Sequence, residues 1–431
     1  TLKLGSAGAL PQGRDVTISA NGTLDLNGKN PTIGSLNGQG TVTNTSANSN
    51  STLTLQPTAD SIFSGTISDN VNNNGVVSVV INSLNNFIQT FSGNNAHSGG
   101  TRVQAGTIIA SNNSALGTGE VSLEGGTLQA GQDPLTLDND ISLGAFSTID
   151  NNGYALTFSG DFLSPIEGVL EFTDSSLAQN GTTILSGQST FTDKLITLST
   201  QLTNSGVMTL ESTTILENNH QFTNTGKITI NASTISNRKT IINTGEIINN
   251  ERFLNFDLLR LDANSKFTGT GTVSLSGSTM LFNGPGIEFN NNIALNPDFV
   301  DHIGVTLSVV QGVTQSINNV ISSPNGPVTL TKDGIGTLAL NGANTLQGEI
   351  ILSEGVLQVG HNSALGDSTL RMLNNTVLKF GDNNLALGNS IQLDSGNSVN
   401  PAVATIDTGN FMSALSNAIT QIGNSVMKLI I

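Results

Sequence analysis

The chain has 431 residues, of which 11% are charged, with 48 Gly, no Cys, no Trp and a formal net charge of −16. Nucleic acids and anionic membrane surfaces require clustered Lys and Arg, so this balance argues against both as partners. No run approaches the roughly 18 apolar residues of a membrane-spanning helix, and we expect no membrane insertion of this segment.

Short strands separated by turn residues occupy the first part of the chain. Between residues 14 and 75, apolar positions alternate with polar ones, and the dipeptides Asn21-Gly22, Asn27-Gly28 and Asn37-Gly38 interrupt the runs. Alternation predicts strands with one buried face, and Asn-Gly is typical of tight turns. Both an antiparallel meander and a coil fit this segment, so the spacing of later turns has to distinguish them.

A turn signal recurs at a nearly constant interval in residues 185–280, which we predict to be regular coils. Two series of asparagines carry it, at intervals of 18 to 20 residues: Asn204, Asn224 and Asn243, each followed by x-Gly, and Asn218, Asn237 and Asn255. A parallel β-helix of about 19–20 residues per coil requires such a repeat, since each coil advances by one strand spacing. Asparagines stacked at one corner can pass amide hydrogen bonds between coils. We therefore predict an all-β β-solenoid in which these asparagines are structural.

Residues 281–327 are less regular than their neighbours. They hold three aromatic and three titratable residues close together in sequence: Phe282, Phe289, Phe299, Asp298, Asp301 and His302. An excursion loop that binds a ligand would explain the cluster. A slightly wider coil whose core is filled by phenylalanine also explains it, and we favour that interpretation.

An internal repeat connects residues 76–117 with residues 328–366. The second copy reads VTLTKDGIGTLALNGANTLQGEIILSEGVLQVGHNSALG, and its last six residues, His361–Gly366, closely match Asn112–Gly117 of the first copy. Apolar residues fall on alternate positions, so strands are predicted between turns. The glycines predicted to form those turns are Gly334, Gly336, Gly342, Gly348, Gly355 and Gly366.

The end of the chain offers two periodicities. Residues 411–422 (FMSALSNAITQI) carry apolar positions compatible with an amphipathic helix, but their alignment with Ile67 and Ile321 favours a strand. The chain also begins and ends within a repeat. We therefore expect residues 1–431 to be a single elongated β-helix segment of a longer chain.

The second copy resembles the passenger-associated transport repeat of bacterial autotransporters. Its elements are Lys332, a G-x-G-T-L-x-L turn and strand, a G-A-N-T-x-x-G turn, a G-x-L strand and a closing A-L-G. The resemblance implies a right-handed parallel β-helix passenger of type V secretion. Such a segment would cross the periplasm, leave through outer-membrane translocation machinery or its own C-terminal barrel, and be displayed outside the cell. A stalk or adhesin contacting a host or neighbouring-cell surface is the function implied.

Residue patterns for catalysis are missing from the sequence. The four histidines (97, 220, 302 and 361) lack metal-ligand spacing, no G-x-S-x-G is present, and no calcium-binding nonapeptide occurs. We therefore expect no enzyme activity, cofactor or metal. One alternative is a β-helical polysaccharide lyase or hydrolase, although the chain has a single Tyr and no Trp to stack on sugars. The other is a self-associating extracellular fibre subunit that stacks end to end through open strand edges.

Overall fold

The computed structural model describes residues 1–70, 72, 74–144, 146–164, 168–173, 175, 182–192, 194–296, 304–394, 402–422 and 427–430. They form two compact units, Thr1–Phe222 and Thr223–Ile431. Both units consist of short strands joined by turns, and among the described residues the only helical element is a 3₁₀ turn at Ala7–Ala9. Within the same residues, no helix has the length and apolar character needed to cross a bilayer.

The strands of the first unit, with β28 at the unit boundary, are β1 (Leu2–Lys3), β2 (Val16–Ile18), β3 (Thr23–Asp25), β4 (Thr32–Ile33), β5 (Leu36–Gly38), β6 (Thr41–Thr43), β7 (Asn50–Leu55), β8 (Ser61–Phe63), β9 (Thr66–Ile67), β10 (Val76–Asn82), β11 (Ile88–Phe91), β12 (Thr101–Ala105), β13 (Thr107–Ala110), β14 (Val121–Leu123), β15 (Thr127–Ala130), β16 (Leu135–Leu137), β17 (Ile141–Leu143), β18 (Phe146–Asp150), β19 (Ala155–Phe158), β20 (Phe162–Ser164), β21 (Gly168–Thr173), β22 (Thr182–Leu185), β23 (Gln188–Thr192), β24 (Lys194–Leu198), β25 (Gln201–Asn204), β26 (Val207–Glu211), β27 (Ile215–Asn218) and β28 (Gln221–Asn224).

The strands of the second unit are β29 (Lys227–Ile230), β30 (Thr234–Asn237), β31 (Thr240–Asn243), β32 (Glu246–Asn249), β33 (Arg252–Asn255), β34 (Leu258–Asp262), β35 (Lys266–Thr268), β36 (Thr272–Leu275), β37 (Thr279–Asn283), β38 (Glu288–Phe289), β39 (Asn292–Leu295), β40 (Gly304–Val309), β41 (Thr314–Ile317), β42 (Ile321–Ser322), β43 (Val328–Asp333), β44 (Thr337–Leu340), β45 (Gly348–Leu352), β46 (Val356–Val359), β47 (Thr369–Met372), β48 (Thr376–Phe380), β49 (Leu385–Leu387), β50 (Ile391–Asp394), β51 (Ala402–Asp407), β52 (Ser413–Leu415), β53 (Ile419–Ile422) and β54 (Met427–Ile430).

Each strand pairs with a strand of the next coil and not with its neighbour in sequence. In the first unit, one sheet runs β4-β7-β10-β12-β14-β17-β20-β23-β26 and another runs β2-β5-β8-β11-β13-β15-β18-β21-β24-β27. In the second unit, sheets run β30-β33-β36-β39-β42 and β41-β44-β46-β48-β51-β54. Every strand pair whose register is described is parallel, and one isolated antiparallel bridge joins Asn70 and Gly75. The predicted all-β parallel β-solenoid is confirmed.

The length of a coil varies with its corners. Asn237 and Asn255 stand at equivalent places 18 residues apart, whereas Ser61 and Gln89 stand at equivalent places 28 residues apart. Strands stay short, from two residues in β9 to seven in β10, so most of the additional residues lie in the corners. The spacing of 19–20 residues predicted from the asparagines is thus close to that of the coil between Asn237 and Asn255, whereas the coil between Ser61 and Gln89 is longer.

The core of each unit is a column of inward side chains. In β10, Val77, Val79 and Ile81 are fully buried while the residues between them are half-buried, as alternation predicts. Inward phenylalanines on different sheets touch edge to face, with ring centroids 5.0 Å apart for Phe158–Phe162 and 5.1 Å for Phe253–Phe267. Such contacts add to the area buried by each ring.

The irregular segment and the C-terminal segment both contain strands. Phe282 and Phe289 are buried and their ring centroids lie 6.1 Å apart, which agrees with the core interpretation of these two residues. The remaining members of that cluster, Phe299, Asp298, Asp301 and His302, lie outside the described residues. Near the C-terminus the chain forms β52 and β53 and no helix, as the alignment favoured. The division into repeat units, regular coils and irregular coils stays a prediction.

Candidate functional site

The first predicted asparagine series lies inside the core, at strand ends. Asn224 and Asn243 end β28 and β31, and both side chains are fully buried. Asn224 Nδ2 donates to Asn243 Oδ1 at 2.7 Å and to the carbonyl of Glu246 at 3.0 Å. Asn243 Nδ2 continues to the carbonyl of Lys266 at 3.0 Å. Asn204, at the end of β25, is likewise buried and donates to the carbonyl of Gly206 at 3.5 Å.

The second series occupies a different corner of the coil. Asn237 and Asn255 end β30 and β33, and Asn237 Nδ2 donates to Asn255 Oδ1 at 2.6 Å. Asn237 also donates to the carbonyl of Leu258 at 3.0 Å. Asn218 is buried at the end of β27, and its Oδ1 accepts from the backbone N–H of His220 at 3.4 Å. Amides at these places supply hydrogen bonds where the chain leaves a sheet and backbone groups lose their strand partners.

A third class of asparagines escaped the sequence prediction: Asn139, Asn291 and Asn389. Each stands two residues before an isoleucine that opens an inward run, in the pattern N-x-I-x-L. Each donates its side-chain amide to two carbonyls of neighbouring coils; Asn389, for example, reaches Gly366 at 2.9 Å and Ser368 at 2.8 Å. The shared pattern was visible, but its irregular spacing concealed it.

The Asn of the repeat's G-A-N-T turn bonds in both directions along the solenoid. Asn344 Oδ1 accepts from the backbone N–H of Ile321 at 2.7 Å, and its Nδ2 donates to the carbonyl of Ala364 at 2.7 Å. Asn95 makes the corresponding bonds in the first repeat, at 2.8 and 2.5 Å. A single side chain thereby joins three consecutive coils.

His361 is part of a turn. Its Nδ1 accepts from the backbone N–H of Ser363 at 3.0 Å, and in the first repeat Asn112 Oδ1 accepts from Ser114 N–H at 2.8 Å. In both side chains the acceptor atom is bonded to Cγ, so the imidazole of His361 can accept the hydrogen bond that an Asn accepts in an Asx turn.

The six predicted turn glycines all lie where backbone of the preceding coil approaches closely: Gly334, Gly336, Gly342, Gly348, Gly355 and Gly366. At Gly355 the backbone is left-handed, with φ +70°, and a Cβ would lie 2.6 Å from the carbonyl oxygens of Gly334 and Gly336. A larger residue would have to displace that backbone.

Lys332, the first element of the repeat pattern, takes an inward position of β43 and is fully buried. Its Nζ donates to the carbonyls of Asp333 at 3.0 Å, Glu354 at 2.9 Å and Gly334. An ammonium group has three donors, so all three are used. Burial lowers the pKa of Lys332 to about 8, opposed by the carboxylates of Asp333 and Glu354. The side chain ties two successive turns together.

A second buried lysine lies in the first unit. Lys194 begins β24, is 1% exposed, and donates through Nζ to the carbonyl of Gly144. Burial lowers its pKa. The alternation of β24 places Lys194 on the inward side, a signal that sequence reasoning did not use.

His97 is the other buried titratable side chain in the repeats. It is fully buried, and its Nε2 lies 2.9 Å from Thr101 Oγ1, which donates its own proton to the carbonyl of Leu116. Thr101 must therefore accept, so Nε2 carries a proton and donates it. Among the described residues Nδ1 has no hydrogen-bond partner. Burial lowers the pKa of His97 to about 4, against the opposing charge of Asp69.

These groups form hydrogen bonds within turns and between coils. In the part of the chain that the structure describes, no group of three or more His, Asp or Glu side chains is placed to hold a metal ion.

Comparison with known proteins identifies the repeat. The pattern of the passenger-associated-transport-repeat family matches residues 88–110 and 330–359. The chain is also 35% identical, over 104 residues, to an adhesin autotransporter, BmaC, of Brucella suis biovar 1 (strain 1330). That alignment covers 24% of this chain and 2% of the adhesin. No solved structure matches.

Proposed function

Because the chain carries two passenger-associated transport repeats, we propose that it is part of a bacterial autotransporter passenger that acts as a surface-displayed stalk or adhesin. The observation that carries the proposal is the repeat at residues 330–359, where the family pattern coincides with the turns closed by Lys332 and Asn344. The family implies display outside the cell. We propose export through the periplasm and then through outer-membrane translocation machinery or a C-terminal barrel of the same protein.

The construction of the fold suits a displayed stalk. Each coil is held by its neighbours through parallel strand pairs and buried side-chain amides, so stability is local and requires no disulfides. The formal net charge of −16 favours solubility outside the cell. The relative named an adhesin supports contact with a host or neighbouring-cell surface as the role.

The proposed role is non-enzymatic. Lys332 and His97 are fully buried, and their hydrogen bonds go to backbone carbonyls and to Thr101 inside the core, away from any substrate. Perturbed pKa values are common in active sites, but structural groups show them too.

Surface display can be tested on the bacterium that produces the protein. Antibodies against this chain are expected to label intact cells as strongly as permeabilised ones, and external protease should remove the label. Purified full chain should then reduce attachment of these cells to epithelial monolayers or to abiotic surfaces. Labelling that requires permeabilisation would refute surface display. If the cells clump but attach to neither surface, the chain's partner is another copy of itself and not a host or neighbouring-cell surface.

A further inference from the structure

An open trough lies on the outer face of the first unit, across β7, β10, β12 and β14. Its volume is about 530 Å³, within the range of roughly 300–1,000 Å³ typical of ligand sites. The side chains that line it are mainly hydroxyl-bearing or charged: Ser78, Ser98, Ser122, Arg102, Glu120 and Glu124. Gly99 and Gly100, which carry no side chains, line it as well.

The two repeats can be superposed residue by residue at this place. Asn95 and Asn344 make the same bonds, and four residues after each comes a glycine, Gly99 or Gly348. Strand order agrees, since β12 lies between β10 and β14 as β45 lies between β43 and β47, and the register of β12 with β14 equals that of β45 with β47. The residues that follow these glycines, Gly100 and Glu349, therefore occupy equivalent positions, and they differ.

The second repeat fills the position that the first leaves empty. Glu349 stands where the first repeat has Gly100, and its carboxylate lies 3.9 Å from Arg371, which also pairs with Asp394. Arg371 in turn stands where the first repeat has Ser122. Charged side chains thus satisfy one another in the second repeat, whereas a glycine and a serine leave an open polar surface in the first.

The charges of the trough restrict what it can hold. Arg102 Nε lies 2.7 Å from Glu124 Oε2, so these two largely neutralise each other. Glu120 makes no ion pair among the described residues. One guanidinium against two carboxylates disfavours phosphate, sulfate and other anionic ligands.

The strands beneath the trough also exclude one mode of peptide binding. β10 is paired on both sides, with β7 and β12, and β12 is paired with β10 and β14. Addition of a peptide strand requires an unpaired edge, and none is present here. The lining is mostly hydroxyl-bearing and charged, with Val79 and Val80 as its apolar members, so it offers little of the apolar surface that most peptide side chains need.

We propose that this trough binds a short neutral saccharide. Serine hydroxyls both donate and accept, Glu120 accepts from adjacent sugar hydroxyls, and Arg102 donates, which matches the mixed donors and acceptors of a polyol. A cationic peptide would use only the acceptors. The inference rests on the proposed adhesive role and assigns that role a ligand class and a place.

The direct test is binding of the purified, labelled full chain to an array of neutral, sialylated and sulfated glycans, with immobilised tetralysine as the cationic probe. We expect signals on neutral glycans only, and Ser122→Arg, which installs the residue of the second repeat, should weaken them at least tenfold. Ser142→Arg is the matched control, since Ser142 pairs with Ser122 in the next strand but lies outside the trough. It should change binding less than twofold.

Several outcomes would overturn the inference: no neutral glycan bound, signals only on anionic glycans or tetralysine, or equal losses in both variants. Circular dichroism melting of the two variants checks that neither loss reflects unfolding. Failure of the proposed function can be distinguished from failure of this inference. If cells displaying the Ser122→Arg chain attach as well as wild type, the trough is not the adhesive site but adhesion stands; if the chain is not displayed, adhesion fails whatever the array shows.

Discussion

Asn224 donates its side-chain amide to the side-chain oxygen of Asn243 across 2.7 Å, and both side chains are fully buried in the core. The two residues are 19 positions apart in sequence and occupy the same corner of consecutive coils. A buried amide is costly unless it is bonded, so each asparagine depends on the next. We propose that such ladders keep the coils in register.

Replacing the acceptor tests this dependence. Asn243→Ala removes the partner of Asn224 and also the donor to the carbonyl of Lys266, so the coil should lose about 2–3 kcal/mol of stability. Hydrogen exchange of residues 224–266 measures the loss locally, which suits a repeat fold. Asn290→Ala removes only an exposed bond to Glu288 and should cost less than about 0.5 kcal/mol. Equal exchange in both variants would contradict the structural role.

The buried lysine of the second repeat gives a second test. Lys332→Met keeps most of the apolar side chain but leaves three partly buried carbonyls without this donor, so we expect a loss of about 3 kcal/mol. Urea unfolding followed by fluorescence of a probe attached near residue 354 reports the change. Lys239→Met alters an exposed lysine of the same unit and should leave the transition in place. A variant at Lys332 as stable as wild type would show that water replaces the ammonium.

Acid should weaken the first repeat through His97. Its pKa in the folded chain is lowered to about 4, below its ordinary value of 6.5, because charging it would bury a cation. The unfolded chain takes up the proton first, so stability is complete above pH 6.5 and declines as the pH falls toward 4. The loss is on the order of 3 kcal/mol.

The matched variant is His97→Leu, since the second repeat has the buried Leu346 at this position. Denaturant unfolding of the first unit at pH 7.5 and pH 4.5 should show a smaller difference for the variant than for wild type. The same difference in both would assign the acid sensitivity to carboxylates elsewhere.

Two glycines with similar positive φ angles allow the cost of the backbone conformation to be separated from the cost of a steric clash with the neighbouring coil. Gly355 and Gly312 have φ of +70° and +78°, but only Gly355 has backbone atoms within reach of a Cβ. Gly312→Ala should therefore cost about 1 kcal/mol from conformation alone, and Gly355→Ala at least about 2 kcal/mol. Thermal melting of the two variants measures the difference. Equal shifts would mean that the backbone of the preceding coil, at Gly334 and Gly336, can shift to accept the methyl group.

Several features of the fold were predictable from the sequence because they depend on local pattern. Alternating apolar residues predict which side chains of β10 face inward, and the Asn-x-Gly spacing of 19 and 20 residues predicts a coil. The repeat at residues 330–359 was recognisable because each turn needs its own glycine. The burial of titratable side chains was not predicted. Lys332 was recognised only as part of the repeat pattern, and His97 and Lys194 were not recognised as buried.

What the sequence by itself determined is the repeating unit: strand, turn and the residues that each turn requires, all set within one coil. The tertiary structure decided which residues of neighbouring coils lie next to each other. Coils range from 18 residues, at Asn237 and Asn255, to 28, at Ser61 and Gln89, so equivalent positions drift along the sequence. The partners of Asn389 and Lys332, and the trough left where Gly100 replaces Glu349, arise only after the coils are stacked, because each depends on atoms about 20 residues away in the neighbouring coil.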